Sequence, residues 1–227
     1  MNFKFFMEVL FPRRCLRCRN TLTNGVVCDQ CLVAVTIHDS LFCGKCKARL
    51  PSARKICHND FPYILGAAGS YGDKTIQTLI HHLKFRGIRD AAEPLAEIIV
   101  RYLSKLERDL THYYIVPIPL SQKRRRERGF NQSERIGAIV AKQLAIPIET
   151  TCLIRARHTA AQSTTKSASE RRKNVNNCFA VINNSLHGKN IILVDDVTTS
   201  GATLLEAART LKQAGVQKII AVTAAMT

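Results

Sequence analysis

Residues 191–203 place two adjacent carboxylates, Asp195 and Asp196, directly ahead of four hydroxyls and one glycine. Like charges repel, so the acid pair suits a partner that donates to it: sugar hydroxyls, or a magnesium ion. The stretch that follows, Thr198, Thr199, Ser200, Gly201, Ala202 and Thr203, has no charged side chain and is rich in donors, which suits a phosphate. Ribose bearing a 5′-phosphate satisfies both halves. A nucleoside-triphosphate loop of the form GxxxxGK[ST] fits poorly, since no lysine follows Gly201.

Such a site needs rigid mounts on either side. The apolar run Ile191 to Val194 predicts a strand buried on both faces of a parallel sheet, from whose carboxyl end the acids emerge. Leu204 to Gln213 has helical periodicity and is followed by Gly215, so a helix N-terminus faces the same pocket. Further strands are predicted near Ile64 to Tyr71, Tyr113 to Ile118, Cys152 to Arg155, Phe179 to Ile182 and Lys218 to Thr223. Helices are predicted near Thr75 to Phe85, Ala91 to Arg108 and Ser133 to Leu144, the last started by a capping pair, Asn131 and Glu134. This alternation predicts an α/β fold, an open and mostly parallel sheet with helices on both faces.

The cysteines follow a different logic. Seven of the nine precede residue 58, which divides the chain into a cysteine-rich module at 1–61 and a larger domain at 62–227. Cys15, Cys18, Cys28 and Cys31 form two CxxC knuckles, enough to close a tetrahedral zinc shell. Cys43, Cys46 and Cys57 form a second, incomplete set. Spacing points to Asp60 as its fourth ligand, in the place of a second CxxC cysteine, with His58 as the chemical alternative. Four protein ligands leave no open position, so both metals are expected to be structural. The opening residues are apolar but carry Glu8 and no small-residue cleavage site. They predict a short helix presenting Phe3, Phe6, Met7 and Leu10, with peripheral attachment to a membrane as the alternative, and a reducing cytoplasmic setting.

A formal net charge of +17 is concentrated in one region: residues 120–174 hold thirteen Lys or Arg against four Asp or Glu, a net of +9. Lys123, Arg124, Arg125, Arg126 and Phe130 lie after the strand at 113–118; Arg171, Arg172 and Lys173 close a Ser/Thr-rich run expected to be a mobile loop or hairpin. Nine net charges exceed what one diphosphate requires, and they suit a nucleic-acid backbone as well; a solvated basic surface is the plainer alternative.

The acid pair and its loop resemble the phosphoribosyl pyrophosphate (PRPP) motif of type I phosphoribosyltransferases, departing only at Ser200, which keeps the hydroxyl. The resemblance implies that Asp195 and Asp196 hold ribose hydroxyls, that Thr198 to Thr203 hold the 5′-phosphate, and that magnesium arrives largely with the pyrophosphate. By chain order it assigns pyrophosphate and flexible-loop roles to Arg128, Gly129, Arg155, Arg157 and Lys166. The chain as a whole is similar to the ComF competence family, through Leu83-Lys84-Phe85-Arg86-Gly87, Val116-Pro117-Ile118-Pro119, Arg128-Gly129-Phe130-Asn131-Gln132 and Arg155 to Gln162. Asp60 departs from the fourth cysteine of many relatives. That resemblance implies single-stranded DNA handling in natural transformation, at the cytoplasmic side of the inner membrane, with a helicase and a DNA channel as partners. An active phosphoribosyltransferase with an acceptor of its own is the alternative reading of the same motif.

Overall fold

The computed structural model describes residues 12–50, 57–156 and 178–227. In chain order the elements are α1 (Asp29–Val33), β1 (Leu41–Cys43), β2 (Arg49–Leu50), β3 (Ile64–Ser70), α2 (Lys74–Phe85), α3 (Ala92–Lys105) and β4 (Tyr113–Pro117). There follow α4 (Gln122–Arg128), α5 (Gln132–Leu144), β5 (Leu153–Arg155), β6 (Phe179–Val181), β7 (Asn190–Thr198), α6 (Ala202–Gln213) and β8 (Lys218–Met226).

Six strands form one sheet in the order β2-β1-β3-β8-β7-β4. The four from β3 to β4 in that order are parallel, so Ser70, Met226, Thr198 and Pro117 all end on one edge. Alternation along β7 and β8 separates two cores. Ile192, Val194, Ile220 and Val222 pack with α2, α3 and α5, whereas Ile191, Leu193, Ile219 and Ala221 pack with α6. The helices supply matching stripes: Ile76, Leu79, Ile80 and Leu83 on α2, and Leu95, Ile98, Ile99, Tyr102 and Leu103 on α3, are all buried. Asp73 caps α2 by accepting from the N–H groups of Thr75 and Ile76, at 2.8 and 3.1 Å.

Several expected elements differ in place or kind. β5 and β6 do not join the main sheet; they pair with each other as a separate antiparallel ribbon, with Leu153 opposite Val181. Each is only three residues long. Strand β7 continues past Val194 through both aspartates to Thr198, because β8 keeps pairing with it as far as Met226. Helix α4 lies within the basic run that follows β4, where no helix was expected. Ser121 starts it by accepting from the Arg124 N–H, and Gly129 ends it at a φ of 73°. Asn131 caps α5, but Glu134 pairs with Arg125 at 3.5 Å instead of closing a capping box.

The cysteine-rich head is built into this sheet. β1 runs antiparallel to β3, with Phe42 opposite Leu65 and Cys43 opposite Ile64, so the expected boundary at residue 61 falls between paired strands. Leu32, Val35, Ile37, Leu41 and Leu50 share the core of α2 and α3. Two polar ties reinforce that packing: Arg101 Nη1 donates to the Leu32 carbonyl at 3.0 Å, and the buried Tyr102 hydroxyl donates to the Ser40 carbonyl at 2.8 Å. Replacing Tyr102 by Phe strands that carbonyl. The Tyr102→Phe protein is expected to lose about 1–2 kcal/mol of stability, seen as a lower urea midpoint at unchanged slope.

Candidate functional site

At the carboxyl edge of the parallel strands lies a cleft of about 310 Å³. Its walls come from five places: Lys84 at the end of α2; Ile118, Pro119 and Leu120 after β4; Arg124 and Arg128, one turn apart on α4, with Gln132 and Ser133 opening α5; Arg155 at the end of β5; and the run from Asp195 to Leu204. Two acids therefore meet four cations around one opening.

The acids are held differently. Asp196 is buried, and its Oδ1 pairs with Lys84 Nζ at 2.7 Å. Asp195 accepts from the Ser133 hydroxyl at 2.8 Å and from the Asp196 N–H at 2.9 Å. Burial, and then the charge on Asp196, push the Asp195 pKa up to about 6, although Lys84 and these two donors work the other way. Burial and Arg124 lower the pKa of the Arg128 guanidinium, while Asp196, Glu127 and Asp195 pull it back up.

Facing the acids, the loop Thr198 to Gly201 leads into the first turn of α6, whose N–H groups point out of the helix start. Gly201 adopts a φ of 74°, a left-handed turn that favours glycine. Two buried polar atoms on the wall have no hydrogen-bond partner among the described residues: Thr198 Oγ1 and the side-chain amide nitrogen of Gln132. Buried donors and acceptors are seldom left unmade, so a wall that carries two is shaped for a polar ligand.

The structure brings Asp195, Asp196, the 198–203 loop, Arg128 and Arg155 to one cleft. Gly129 ends α4 beside it, and Arg155 also lies over the Phe179 ring at 5.4 Å. Arg124, read from the sequence as a nucleic-acid contact, lines the cleft, whereas Lys123, Arg125 and Arg126 on the same helix are exposed. Phe130 is half-buried beneath Arg89, 5.3 Å from its ring centre. Arg157, Lys166, Arg171, Arg172, Lys173 and the N-terminal apolar residues lie outside the described residues. Sequence reasoning missed Lys84, Gln132 and Ser133 as cleft residues. Lys84 sits in LKFRG, which had no stated role, and Gln132 ends RGFNQ, where roles were assigned to Arg128, Gly129 and Phe130 but not to the residues that follow them.

The cysteines gather into two groups whose ligand atoms lie within 4.8 Å of one another. Cys15, Cys18, Cys28 and Cys31 form the first, as expected from their spacing. Burial raises the Cys15 thiol, but the N–H groups of Cys18, Cys28 and Arg17 outweigh it and bring the pKa to about 6. The second group is Cys43, Cys46, Cys57 and His58. This corrects the preference for Asp60: His58 Nδ1 lies 3.4 Å from both Cys43 Sγ and Cys57 Sγ, while Asp60 stands outside the cluster. The imidazole follows Cys57 directly and folds back onto the sulfurs. Thiolate and imidazole donors in fours fit a closed zinc site.

The raised pKa of Asp195 has a sign for stability. A carboxyl with a higher pKa folded than unfolded opposes folding once ionised; the cost is complete above about pH 6 and fades as pH falls toward 4. Asp195→Asn is therefore expected to stabilise the ligand-free protein by about 1–2 kcal/mol at pH 7 and by little at pH 4. Thermal melts across that range measure it.

Residues 131–226 match the phosphoribosyl transferase domain. Competence protein F of Haemophilus influenzae (strain ATCC 51907 / DSM 11121 / KW20 / Rd) is 31% identical over 231 residues, covering 94% of this chain and 96% of that protein. Competence protein ComFC of Bacillus subtilis (strain 168) is 32% identical over 207 residues, covering 88% and 78%. The DNA utilization protein YhgH of Escherichia coli (strain K12) is 30% identical over 200 residues, covering 87% and 82%. With its cysteine-rich head joined to a type I phosphoribosyltransferase fold, the chain belongs to the ComF competence family.

Proposed function

We propose that this chain handles incoming single-stranded DNA during natural transformation, and that its cleft binds a ribose 5-phosphate bearing a diphosphate, of the PRPP kind. The observation that carries the ligand is the opposition, within one cleft, of the acid pair to a helix start and a cationic wall. Asp195 and Asp196 accept from ribose hydroxyls, with Lys84 holding Asp196 in place. Thr198, Thr199, Ser200, Thr203 and the first N–H groups of α6 hold the 5′-phosphate. Arg128 and Arg155 grip the diphosphate; Arg157 and Lys166, outside the described residues, are candidates for the same role by chain order. Among the described residues the cleft offers two carboxylates and one is paired with lysine, so magnesium would come with the diphosphate, whose charge it would neutralise. Each of these groups serves the donor half of a transfer, and the proposal is one of binding, not turnover.

The DNA role is supported by the relatives' names, competence and DNA utilization proteins. It is also supported by the outer face of α4, where Lys123, Arg125 and Arg126 are exposed. Arg171, Arg172 and Lys173, which lie outside the described residues, are further candidate contacts by charge alone. Work at the cytoplasmic side of the inner membrane, beside a helicase and a DNA channel, follows from that role. Among the described residues no helix is long and apolar enough to cross a membrane.

Asp195→Asn with Asp196→Asn is expected to abolish PRPP binding in calorimetry while the circular dichroism spectrum stays native. Wild-type affinity in the double variant would remove the acid pair from the site. Lys123→Ala with Arg125→Ala and Arg126→Ala is expected to weaken single-stranded DNA binding. It should also reduce the slope of log affinity against log salt by about 2, with PRPP binding intact. An unchanged slope would put the DNA path elsewhere.

A further inference from the structure

Among the described residues Phe85 is the one exposed Phe or Tyr, with 65% of its surface accessible. It is not the margin of the core. The buried stripe of α2 runs through Ile76, Leu79, Ile80 and Leu83, and a residue two places after Leu83 falls on the opposite side of the helix. His81, one turn earlier, shares that outer side. Its ring lies 5.3 Å from the Phe85 ring at an angle of 43°.

Cations alternate with rings around it. Arg128, the last residue of α4, sets its guanidinium 5.8 Å from the Phe85 ring centre, and Arg89 sets its own 5.3 Å from that of Phe130. A Cβ on Gly129 would lie 3.4 Å from Arg89 Nη2, so the turn between α4 and α5 is seated against the end of α2 and the residues after it. Residues 81–90 and 122–130, which meet here, hold eight Lys or Arg against two acids, Asp90 and Glu127, and Asp90 faces Arg135 at 3.8 Å. An aliphatic patch would suit a protein or a lipid surface; a flat ring set among cations suits a chain in which flat bases alternate with phosphates. Through Arg128, which also lines the cleft, the ring adjoins both the cleft and the basic helix.

We propose that Phe85, with His81 beside it, is a stacking shelf for a base of single-stranded DNA, and that the exposed Arg86 and Arg89 take the flanking phosphates. The inference rests on the DNA reading of the chain. It adds a contact to bases, which Lys123, Arg125 and Arg126 do not supply, and it puts that contact beside the cleft. Every base has a flat face, so the shelf accepts any sequence.

The chain contains no tryptophan, so Phe85→Trp places a single indole fluorophore on the shelf. Titrating that full-length variant with single-stranded oligothymidylate is expected to quench its emission. An abasic oligomer of the same length, which keeps the phosphates and lacks the bases, is expected to leave the emission unchanged. Phe85→Leu is expected to weaken oligothymidylate binding about tenfold in fluorescence anisotropy, with the slope of log affinity against log salt and the affinity for the abasic oligomer both unchanged. Phe85→Tyr should bind as the wild type does, and the thermal melt of Phe85→Leu should match the wild type because the site is exposed. Wild-type oligothymidylate affinity in Phe85→Leu, with no quenching in Phe85→Trp, would overturn the shelf and leave the DNA reading to the basic face of α4. Equal quenching by the abasic oligomer would also overturn it, since the backbone alone would then account for the contact. If the wild type binds no oligothymidylate, the shelf falls together with the DNA reading.

Discussion

Two like charges held side by side at the end of a buried strand are the constraint around which this cleft is arranged. Asp195 and Asp196 cannot both ionise there without compensation, and the fold supplies it from separate places in the chain: Lys84 from the end of α2, Ser133 from the start of α5, Arg128 from α4. Each is an element terminus, so the helices must stop where they do. Asp73 and Asn131 fix two helix starts, and Gly129 stops α4 with Arg128 at its final residue. Even so, compensation is incomplete in the free protein. Asp195 stays shifted, and Gln132 and Thr198 have side-chain atoms without a partner among the described residues. A pocket left in that state favours a ligand that brings both hydroxyls and negative charge.

What the sequence made legible was whatever lies contiguous in it. Strand β7, the acids, the hydroxyl loop and α6 occupy one uninterrupted stretch, so pattern and chemistry could be read together. Lys84 could not be read that way. It meets Asp196 only because the parallel topology puts the end of α2 at the same edge as the end of β7. Helix α4 escaped because five of its seven residues are Lys or Arg, whose mutual repulsion disfavours a helix on local grounds. Tertiary position reverses this by setting Arg124 and Arg128 against the acids and pairing Arg125 with Glu134. At the second metal centre, spacing favoured Asp60 by analogy with a second CxxC; the fold chose His58, whose ring bends back onto the sulfurs beside it.

The antiparallel pairing of β1 with β3 gives the head a further role. In a parallel sheet an outer strand presents a row of unpaired N–H and C=O groups, a template for edge-to-edge aggregation. Here β3 is sheltered on its outer side by β1, and β1 by β2, a strand of two residues too short to recruit another chain readily. Cys43 is the last residue of β1, so a metal held by the second cluster would grip the protective strand itself. Metal starvation would therefore uncover a sticky border as well as loosen a knuckle, turning a shortage of zinc into a problem of protein quality control.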